Sequence, residues 1–351
     1  MKIQRRKTRE IVVGNKKLGG DNPILIQSMT NTNTLDTAAT KAQIESLISI
    51  GCEVVRIATS SLEEVAACKP YLKKMSVPLV ADIQFDYRLA VAAADAGFDA
   101  IRFNPGNIGN DKNVAEVVSA CKKNNLPIRI GVNAGSLEKD IEKEEGRGAE
   151  GLVKSVMRHV SLLEKHKFYN IVLSAKSSST QDTIATYRKL SALTDYPLHL
   201  GVTESGSGDY GRIKSAIGIG ALLADGIGDT IRVSLTGDPI GEIIAAKMIL
   251  KASGATNDGV EIISCPTCSR CKIDLESICK IIAEHTQNIK KPLKIAIMGC
   301  VVNGPGEAKD ADVGVACGID KSAIFQKGKV LKTVKNNEIV GELKKLIAAF
   351  E

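Results

Sequence analysis

Two segments near the C-terminus carry the side chains best suited to chemistry: SCPTCSRC (264–271) and GCVVNGPGE (299–307). Their sulfur atoms and their one carboxylate belong to Cys265, Cys268, Cys271, Cys300 and Glu307. A Cys-x2-Cys pair with a third cysteine far along the chain is typical of a structural zinc site or of an iron–sulfur cluster. The fourth ligand distinguishes the two, and this sequence offers two candidates for it.

Cys271 and Glu307 are those candidates, and they predict different sites. Zinc prefers Cys or His as its fourth ligand, so a zinc site would use Cys271, and four thiolates would also hold a 4Fe–4S cluster. A carboxylate is a hard, weak ligand for cluster iron, so Glu307 would be displaceable rather than stabilising. An iron whose fourth position opens can act on a substrate oxygen. The residues alone leave a structural site and a catalytic site both open.

A second group of reactive side chains consists of cations that recur on predicted strands. They occur in VVRIA, AIRFN, PIRIG and TIRVS, and a lysine ends a fifth strand; the residues are Arg56, Arg102, Arg129, Arg232 and Lys176. Because alternate strand residues face opposite sides, the flanking Val and Ile residues would face outward and the cations inward. Buried cations need counter-charge, and the nearby acids Asp82, Glu204 and Asp238 are fewer. The pattern therefore predicts a strongly anionic ligand such as a diphosphate, held by arginine forks.

The alternative for these cations is a structural network in which each arginine pairs with its own acidic neighbour. Glu204, in GVTESG, would then be a counter-ion, whereas beside a bound anion it would be placed to shuttle a proton. The loops RFNPGNIG (102–109) and GVNAGSL (131–137) favour the anion site. Their glycines and exposed N–H groups can cradle phosphate oxygens.

The elements that must position these groups follow from eight short apolar runs, most of them separated by helix-patterned stretches. The runs lie at 23–30, 52–58, 77–83, 98–104, 126–133, 169–176, 196–203 and 229–236. Strand–helix alternation repeated eight times predicts an α/β fold, a (β/α)8 TIM-type barrel over residues 1–252. An open doubly wound sheet is the alternative, but no G-x-G-x-x-G follows the first strand.

The alternation stops after KASGATNDG (251–259). Four predicted strands (VEIISC, LKIAIMGC, DVGVACGI and SAIFQKGKVLKTV) and two predicted helices follow, which indicates a smaller α+β domain over residues 260–351. This domain contains every clustered cysteine, so we expect it to hold the metal or the cluster.

Composition narrows the class of function. The 351 residues are 44% hydrophobic with a net charge of +7, and the N-terminal MKIQRRKTRE has no apolar signal core. No stretch has the roughly 18 apolar residues of a membrane helix, so we expect a cytoplasmic protein whose clustered cysteines bind metal. Aromatic residues make up only 3% and no basic tail is present, which argues against nucleic acid binding. An anionic small substrate or an acidic protein partner fits the charge better.

Taken together, these motifs resemble one family over essentially the whole chain, the 4-hydroxy-3-methylbut-2-enyl diphosphate synthases of the methylerythritol phosphate route to isoprenoids. The similar segments are PILIQSMTNT, RFNPGNIG, RIGVNAGSL, LGVTESG, IRVSLTGDP, SCPTCSR and GCVVNGPGEAKDADVG. The resemblance implies an oxidoreductase that reductively opens and dehydroxylates 2-C-methyl-D-erythritol 2,4-cyclodiphosphate. Two electrons would come from ferredoxin or flavodoxin through a 4Fe–4S cluster with an open iron.

The resemblance also implies roles for individual residues. Glu204 would be the proton donor, and Cys271 would be a bystander because the family has no ligand at that position. The cluster would be held by Cys265, Cys268, Cys300 and Glu307. The diphosphate pocket would be formed by Arg56, Arg102, Arg129, Asn133, Lys176, Arg232, Ser234 and Asp82. The resemblance further implies a homodimer in which the cluster of one subunit closes over the barrel of the other.

Two other classes of protein are compatible with the same barrel but would have a different function. One is a pterin-binding methyl-transfer barrel with a structural zinc module, which would bind pterin and no cyclic diphosphate. The other is a catalytic barrel with a zinc-stabilised nucleic-acid module, which would be colourless, whereas an iron–sulfur protein is brown. A radical adenosylmethionine enzyme is not indicated, since it would need C-x3-C-x2-C and this chain has C-x2-C-x2-C.

Overall fold

The structure of the chain is a computed structural model that describes residues 3–287, 289–300, 306 and 309–350. The chain divides into two units, Met1–Thr256 and Asn257–Glu351. Each unit contains its own extended sheet and its own buried apolar core.

A short hairpin that no sequence pattern predicted opens the first unit. Its strands β1 (Ile11–Val13) and β2 (Lys16–Leu18) pair antiparallel. Their apolar side chains share a buried cluster with the residues at the amino-terminal ends of the following strands: Ile11, Val13, Leu18, Leu25, Val54, Val80, Ala100 and Val172. The hairpin therefore covers the amino-terminal end of the barrel, and the carboxyl end is where TIM-type barrels bind their ligands.

Eight parallel strands form the barrel itself. They are β3 (Leu25–Met29), β4 (Val54–Ala58), β5 (Leu79–Asp82), β6 (Ala100–Phe103), β7 (Ile128–Asn133), β8 (Ile171–Lys176), β9 (His199–Leu200) and β10 (Thr230–Ile231). The order across the sheet is β8-β7-β6-β5-β4-β3-β10-β9, and a parallel bridge between Leu173 and Leu198 joins its two ends. The predicted α/β fold with a TIM-type barrel is confirmed, and each of the eight apolar runs contains one strand.

Helices alternate with these strands and cover the outside of the barrel. They are α1 (Thr37–Ser49), α2 (Leu62–Leu72), α3 (Tyr87–Ala96), α4 (Asp111–Lys123), α5 (Lys139–Glu145), α6 (Ala149–Lys165), α7 (Thr180–Leu193), α8 (Gly208–Ala224) and α9 (Ile240–Ala252). Several begin where a short polar side chain accepts a hydrogen bond from the first turn, as at Asp36, Ser61 and Ser179. In the described part of the chain, no helix is long and apolar enough to cross a membrane.

The elements that the structure describes in the second unit include a mixed five-stranded sheet and two helices. Its strands, in sheet order, are β11 (Val260–Ser264), β12 (Leu293–Met298), β13 (Val313–Ala316), β14 (Lys321–Gln326) and β15 (Lys329–Lys335). The helices α10 (Leu275–Thr286) and α11 (Ile339–Ala348) contribute Leu275, Ile282 and Leu343 to the core on one face of the sheet. The first three strands are parallel and the last two pair antiparallel.

The prediction of a single strand for SAIFQKGKVLKTV is wrong, because this segment forms the hairpin of β14 and β15. Lys327 and Gly328 form its turn with φ values of 47° and 74°. A two-residue turn with both φ values positive matches the twist of antiparallel strands, and glycine adopts such values without strain. The described residues of this domain therefore form five strands rather than the four expected.

The three parallel strands of this sheet end at one edge, and a cysteine follows each of them. Cys265 comes directly after β11, Cys300 follows β12 by two residues, and Cys317 comes directly after β13. Because the carboxyl ends of parallel strands meet at the same edge of a sheet, the topology brings these distant cysteines together.

Candidate active site and cysteine-rich edge

Five cations lie in the interior of the barrel, four of them in the middle of their strands or at the carboxyl ends. The fifth, Arg129, is the second residue of β7 and lines a small cavity with residues of the amino-terminal cluster such as Val54 and Val80. Arg129 and Lys176 are buried, with 6% exposure each, and the other three, Arg56, Arg102 and Arg232, are half-buried. Burial and the charges of Arg56 and Arg102 lower the pKa of Arg129 well below its usual value. Burial and the charge of Arg232 lower the pKa of Lys176 in the same way. The cations are therefore close enough to repel one another.

Asp82, the last residue of β5, lies between two of these cations. Arg102 donates a hydrogen bond to it from Nη1 at 2.9 Å, and Nε of Arg56 lies 3.6 Å from the other carboxylate oxygen. Burial alone would raise the pKa of Asp82, but Arg56 and Arg102 outweigh it and hold the pKa below its usual value. Arg102 also donates to the carbonyl oxygen of Gly131 at 3.1 Å. Asp82 therefore orients both guanidinium groups.

Glu242, a residue that the sequence patterns missed, is the second counter-ion. It lies in the first turn of α9, is 2% exposed, and accepts hydrogen bonds from Nε and Nη2 of Arg232 at 3.3 Å each. Ser28 Oγ donates to it at 2.8 Å and the Leu235 N–H at 3.0 Å. The sequence could have indicated it, because Glu242 is a single acid in the otherwise apolar start of a helix, GDPIGEII, directly after a predicted strand.

The charges of this group do not balance. Five cations face the two carboxylates of Asp82 and Glu242, which leaves an excess of three positive charges among the described residues. In that same part of the chain, Lys176 has no carboxylate within salt-bridge distance, and Arg129 has a partner only for Nη1, the side-chain oxygen of Gln27. Local pairing therefore accounts for Arg56, Arg102 and Arg232, whereas Arg129 and Lys176 have no carboxylate partner among the described residues.

A cavity of about 660 Å³ opens next to this group, a size that suits a small ligand. It is lined by Asn133, Ala134, Gly135, Ser136, Arg147, Gly148, Ser177, Ser178, Ser179, Asp182, Thr203 and Glu204. Asn133 at the end of β7 is the strand partner of Lys176 at the end of β8, so the cavity wall adjoins the cations. The sequence patterns did not single out Arg147, Asp182 or the three serines, of which Ser179 caps the N-terminus of α7.

Glu204 and Ser234 are the other two pocket residues expected from the sequence. Glu204 is exposed at the rim of the cavity and has a φ of 51°, a left-handed conformation that costs a non-glycine residue free energy. Ser234 is half-buried two residues after Arg232, and its carbonyl oxygen accepts a hydrogen bond from Ser205. The structure therefore places Glu204 in the cavity wall and Ser234 beside the cation group.

The cysteine-rich edge of the second unit is built around Gly299. The N–H of Gly299 donates to Sγ of Cys265 at 3.1 Å. A Cβ atom at position 299 would lie 2.7 Å from Sγ of Cys271 and 3.4 Å from Sγ of Cys265, so a larger residue there would displace the Cys271 sulfur. Cys300 follows and is half-buried, while Cys268 is exposed. Glu307, the fourth predicted ligand, lies outside the described residues.

These residues fit an iron–sulfur cluster by their chemistry. Thiolates are its usual ligands, N–H groups pointing at the sulfurs stabilise their charge, and a glycine leaves space where a side chain would intrude. Cys317 is 1% exposed, and burial, with Cys271 and Cys265 nearby, raises its pKa to about 11. No three His, Cys, Asp or Glu side chains of the described residues converge on a single metal ion.

The fold and these two groups define a barrel with buried cations in its interior, followed by a cysteine-rich α+β domain. Residues 8–247 match the GcpE TIM-barrel domain, and residues 261–349 match the GcpE protein C-terminal domain. The chain therefore belongs to the GcpE family, which confirms the resemblance seen in its motifs.

Its relatives are similar over nearly their full length. A protein of Fusobacterium nucleatum is 54% identical over 344 residues, covering 98% of this chain and 97% of that protein. A protein of Clostridium perfringens is 52% identical over 98% of this chain and 99% of that protein. Both are named 4-hydroxy-3-methylbut-2-en-1-yl diphosphate synthase (flavodoxin). Among solved structures, Yersinia pestis dihydropteroate synthase covers 70% of this chain and 99% of its own at 12% identity with a TM-score of 0.47, which is too distant to bear on function.

Proposed function

We propose that this enzyme reductively opens and dehydroxylates 2-C-methyl-D-erythritol 2,4-cyclodiphosphate to 4-hydroxy-3-methylbut-2-enyl diphosphate, in the cytoplasm, during isoprenoid precursor synthesis. Membership of the GcpE family and the names of its relatives support this reaction. The observation that carries the proposal is the excess of three positive charges inside the barrel. A diphosphate supplies the missing negative charge, whereas a neutral pterin ring would leave Arg129 and Lys176 without a counter-ion.

Substrate binding falls to the cation group and the cavity beside it. The diphosphate is bound by Arg56, Arg102, Arg129, Lys176 and Arg232, with Asn133 and Ser234 as neutral hydrogen-bonding partners. Asp82 and Glu242 keep three of the guanidinium groups oriented before the substrate arrives, so little reorganisation accompanies binding. Asp82 thus belongs to the pocket as a positioning residue, since its oxygens are already occupied by arginines.

Glu204 is the proton donor of this proposal. Its carboxyl group lies on the rim of the cavity, and its backbone is held in a left-handed turn of the kind found at functional sites. The hydroxyl group that leaves the substrate needs a proton, and a carboxyl group positioned beside the pocket can provide it.

The cluster ligands are Cys265, Cys268, Cys300 and Glu307. When bound there, a 4Fe–4S cluster supplies the electrons one at a time. The Gly299 N–H, 3.1 Å from Sγ of Cys265, lowers the cost of charge on that sulfur. Gly299 itself leaves the space between the sulfurs unfilled, since a Cβ would contact both Cys265 and Cys271.

Flavodoxin, which the relatives' names include, is the proposed electron donor, with ferredoxin as the other acidic carrier. Two lysines lie at the cysteine-rich edge: Lys321 and Lys335 are exposed and directly opposite each other on β14 and β15, and Ile319, two residues before Lys321, is 77% exposed. Like charges directly opposite destabilise a sheet, so their presence favours an acidic partner. Neither lysine forms a salt bridge with another described residue. We also infer a homodimer, to be checked by sedimentation.

Anaerobic purification with iron and sulfide analysis, followed by an assay on the cyclic diphosphate with a chemical reductant, tests the proposal. A brown protein with about four irons per chain that consumes the substrate supports it. Cys265→Ser, Cys268→Ser and Cys300→Ser should each lose iron and activity, whereas Cys121→Ser, in the barrel helix α4, should keep the iron. A colourless zinc protein that binds pterin and leaves the cyclic diphosphate unchanged would contradict it.

A further inference from the structure

Gly131 lies in the barrel at a position where any side chain would collide with a cation. It belongs to β7, two residues after Arg129 and two before Asn133, so all three face the same side of the strand. A Cβ atom at position 131 would lie 2.6 Å from Nη2 and 2.7 Å from Cζ of Arg102, and closer still to its Nε. The guanidinium group of Arg102 therefore occupies the space that a side chain at position 131 would fill.

Two hydrogen bonds hold the guanidinium group of Arg102 in this space. Nη2 donates to the carbonyl oxygen of Gly131 itself at 3.1 Å, and Nη1 donates to Asp82 at 2.9 Å. The Arg102 side chain is only 13% exposed and that of Asp82 is 6% exposed. A guanidinium group displaced from Gly131 would lose the geometry of both bonds, and the carboxylate would lose a buried partner.

The same arrangement recurs at Lys176. Gly201 directly follows β9, and a Cβ atom there would lie 2.7 Å from Nζ and 3.0 Å from Cε of Lys176. It would also lie 2.7 Å from the carbonyl oxygen of Arg232, so Gly201 lets two strands approach as well. At Gly131, by contrast, the three nearest atoms all belong to the guanidinium group. A glycine inside a strand weakens it and often marks a close approach, which at Gly131 is the approach of a cation.

We propose that Gly131 is a positioning residue of the diphosphate pocket, which sets the direction of the Arg102 guanidinium group because it has no side chain. This inference rests on the anion site of the proposed function. A guanidinium group that is already oriented loses little freedom when an anion binds, and its planar fork can form two parallel hydrogen bonds to a phosphate. A side chain at position 131 would leave the positive charge in the barrel but move the fork away from the anion.

The experiment is a double-mutant cycle on the full chain, purified without oxygen. It compares the unaltered protein with Gly131→Ala, Arg102→Ala and Gly131→Ala/Arg102→Ala. Gly220→Ala is the matched control, because Gly220 lies in α8 of the same unit and, among the described residues, no heavy atom beyond its own stretch of helix lies within 4 Å of the Cβ position. Calorimetry measures the Kd of inorganic pyrophosphate, an assay with a chemical reductant gives KM and kcat for the cyclic diphosphate, and circular dichroism establishes folding.

We expect Gly131→Ala to weaken pyrophosphate binding about tenfold or more, the scale of one lost hydrogen bond to a charged group. It should raise the KM for the cyclic diphosphate more than it lowers kcat, since the lost interaction holds the substrate before and during the reaction. In the Arg102→Ala background the same substitution should change the Kd by less than about twofold, because no guanidinium group remains to be displaced. Gly220→Ala should leave the Kd unchanged.

Unchanged pyrophosphate affinity in Gly131→Ala would overturn the proposal. An equal loss of affinity with and without Arg102 would also overturn it, because the two residues would then act independently. If Gly131→Ala alone does not fold, the proposal requires the double variant to fold, since the collision is gone; failure of both to fold would show that Gly131 serves the strand and not the cation. An unaltered protein that binds no pyrophosphate would instead refute the anion site of the proposed function.

Discussion

Asp82→Asn tests the charge balance of the barrel most directly. The amide keeps the shape of the side chain and removes one of two carboxylates, so the excess of positive charge rises from three to four. Arg102 loses the acceptor of its 2.9 Å hydrogen bond and Arg56 loses a carboxylate 3.6 Å away. Breaking a buried ion pair costs about 3–5 kcal/mol. The arginine side chains keep 13% and 11% exposure, so we expect the lower end of that range.

A loss of about 3 kcal/mol should lower the Tm of a barrel of this size by about 6–12 °C. Inorganic pyrophosphate should reduce the difference in Tm between the variant and the unaltered protein, because the variant has more uncompensated positive charge and binds the anion more strongly. An anion present at a hundred times its Kd adds about 2.7 kcal/mol to the stability of the form that binds it. The depressed pKa of Asp82 means that its contribution is present above the unfolded pKa of about 3.9 and is lost as the pH falls further.

Thermal unfolding followed by circular dichroism, with and without pyrophosphate, measures both effects. Asp182→Asn is the matched control, because Asp182 lines the adjoining cavity and forms no salt bridge with another described residue. It should change the Tm by less than about 2 °C, because this half-buried carboxylate has no ion pair to lose among the described residues. Equal losses in the two variants, or a Tm of Asp82→Asn that pyrophosphate does not restore, would show that the cations do not form a shared anion site.

Three further predictions concern the pocket and the donor. The lowered pKa of Lys176 should rise when a diphosphate binds, so binding should take up protons and tighten as the pH falls below the usual lysine pKa of about 10.4. Calorimetry in buffers of different ionisation enthalpy measures this proton uptake. No uptake would be seen if Lys176 were remote from the ligand. Glu204→Gln should lower kcat by about 10²–10⁴ with little change in diphosphate affinity, and an unchanged kcat would exclude it as the proton donor. Lys321→Glu/Lys335→Glu should raise the KM for flavodoxin and leave the rate with a chemical reductant unchanged, whereas Lys69→Glu/Lys74→Glu on the barrel should alter neither.

The barrel could be predicted because parallel strands buried on both faces read as nearly continuous apolar runs. PILIQSMT, LPIRIGVN and the other runs each contain an observed strand. The positions of the cations could also be predicted, since a single charged residue inside an apolar strand has few structural explanations. The hairpin at Ile11–Leu18 was missed because its strands have three residues each, too few to show a period.

Glu242 was missed for a different reason. An acid in the first turn of a helix is commonly explained by the helix dipole, and this explanation needs no partner. Its actual partners are Arg232, ten residues earlier, and Ser28, which is 214 residues away in the chain. The closure of the barrel places β3 next to β10, so the contact depends on the finished fold and not on any local pattern.

In the proposed function, the placement of the acids allows the barrel to be stable when empty and still bind an anion. Asp82 and Glu242 each bind the guanidinium groups from the side, at 2.9–3.6 Å, which fixes their direction without cancelling the whole charge. A third carboxylate near Lys176 would stabilise the empty barrel further, but it would compete with the diphosphate for the same ammonium group. Arg129 and Lys176, the two cations without a carboxylate among the described residues, are also the most buried, so an anion that reaches them gains the most from the low dielectric. In the proposed function, the free energy that the unpaired cations cost the empty barrel is therefore recovered when the ligand binds.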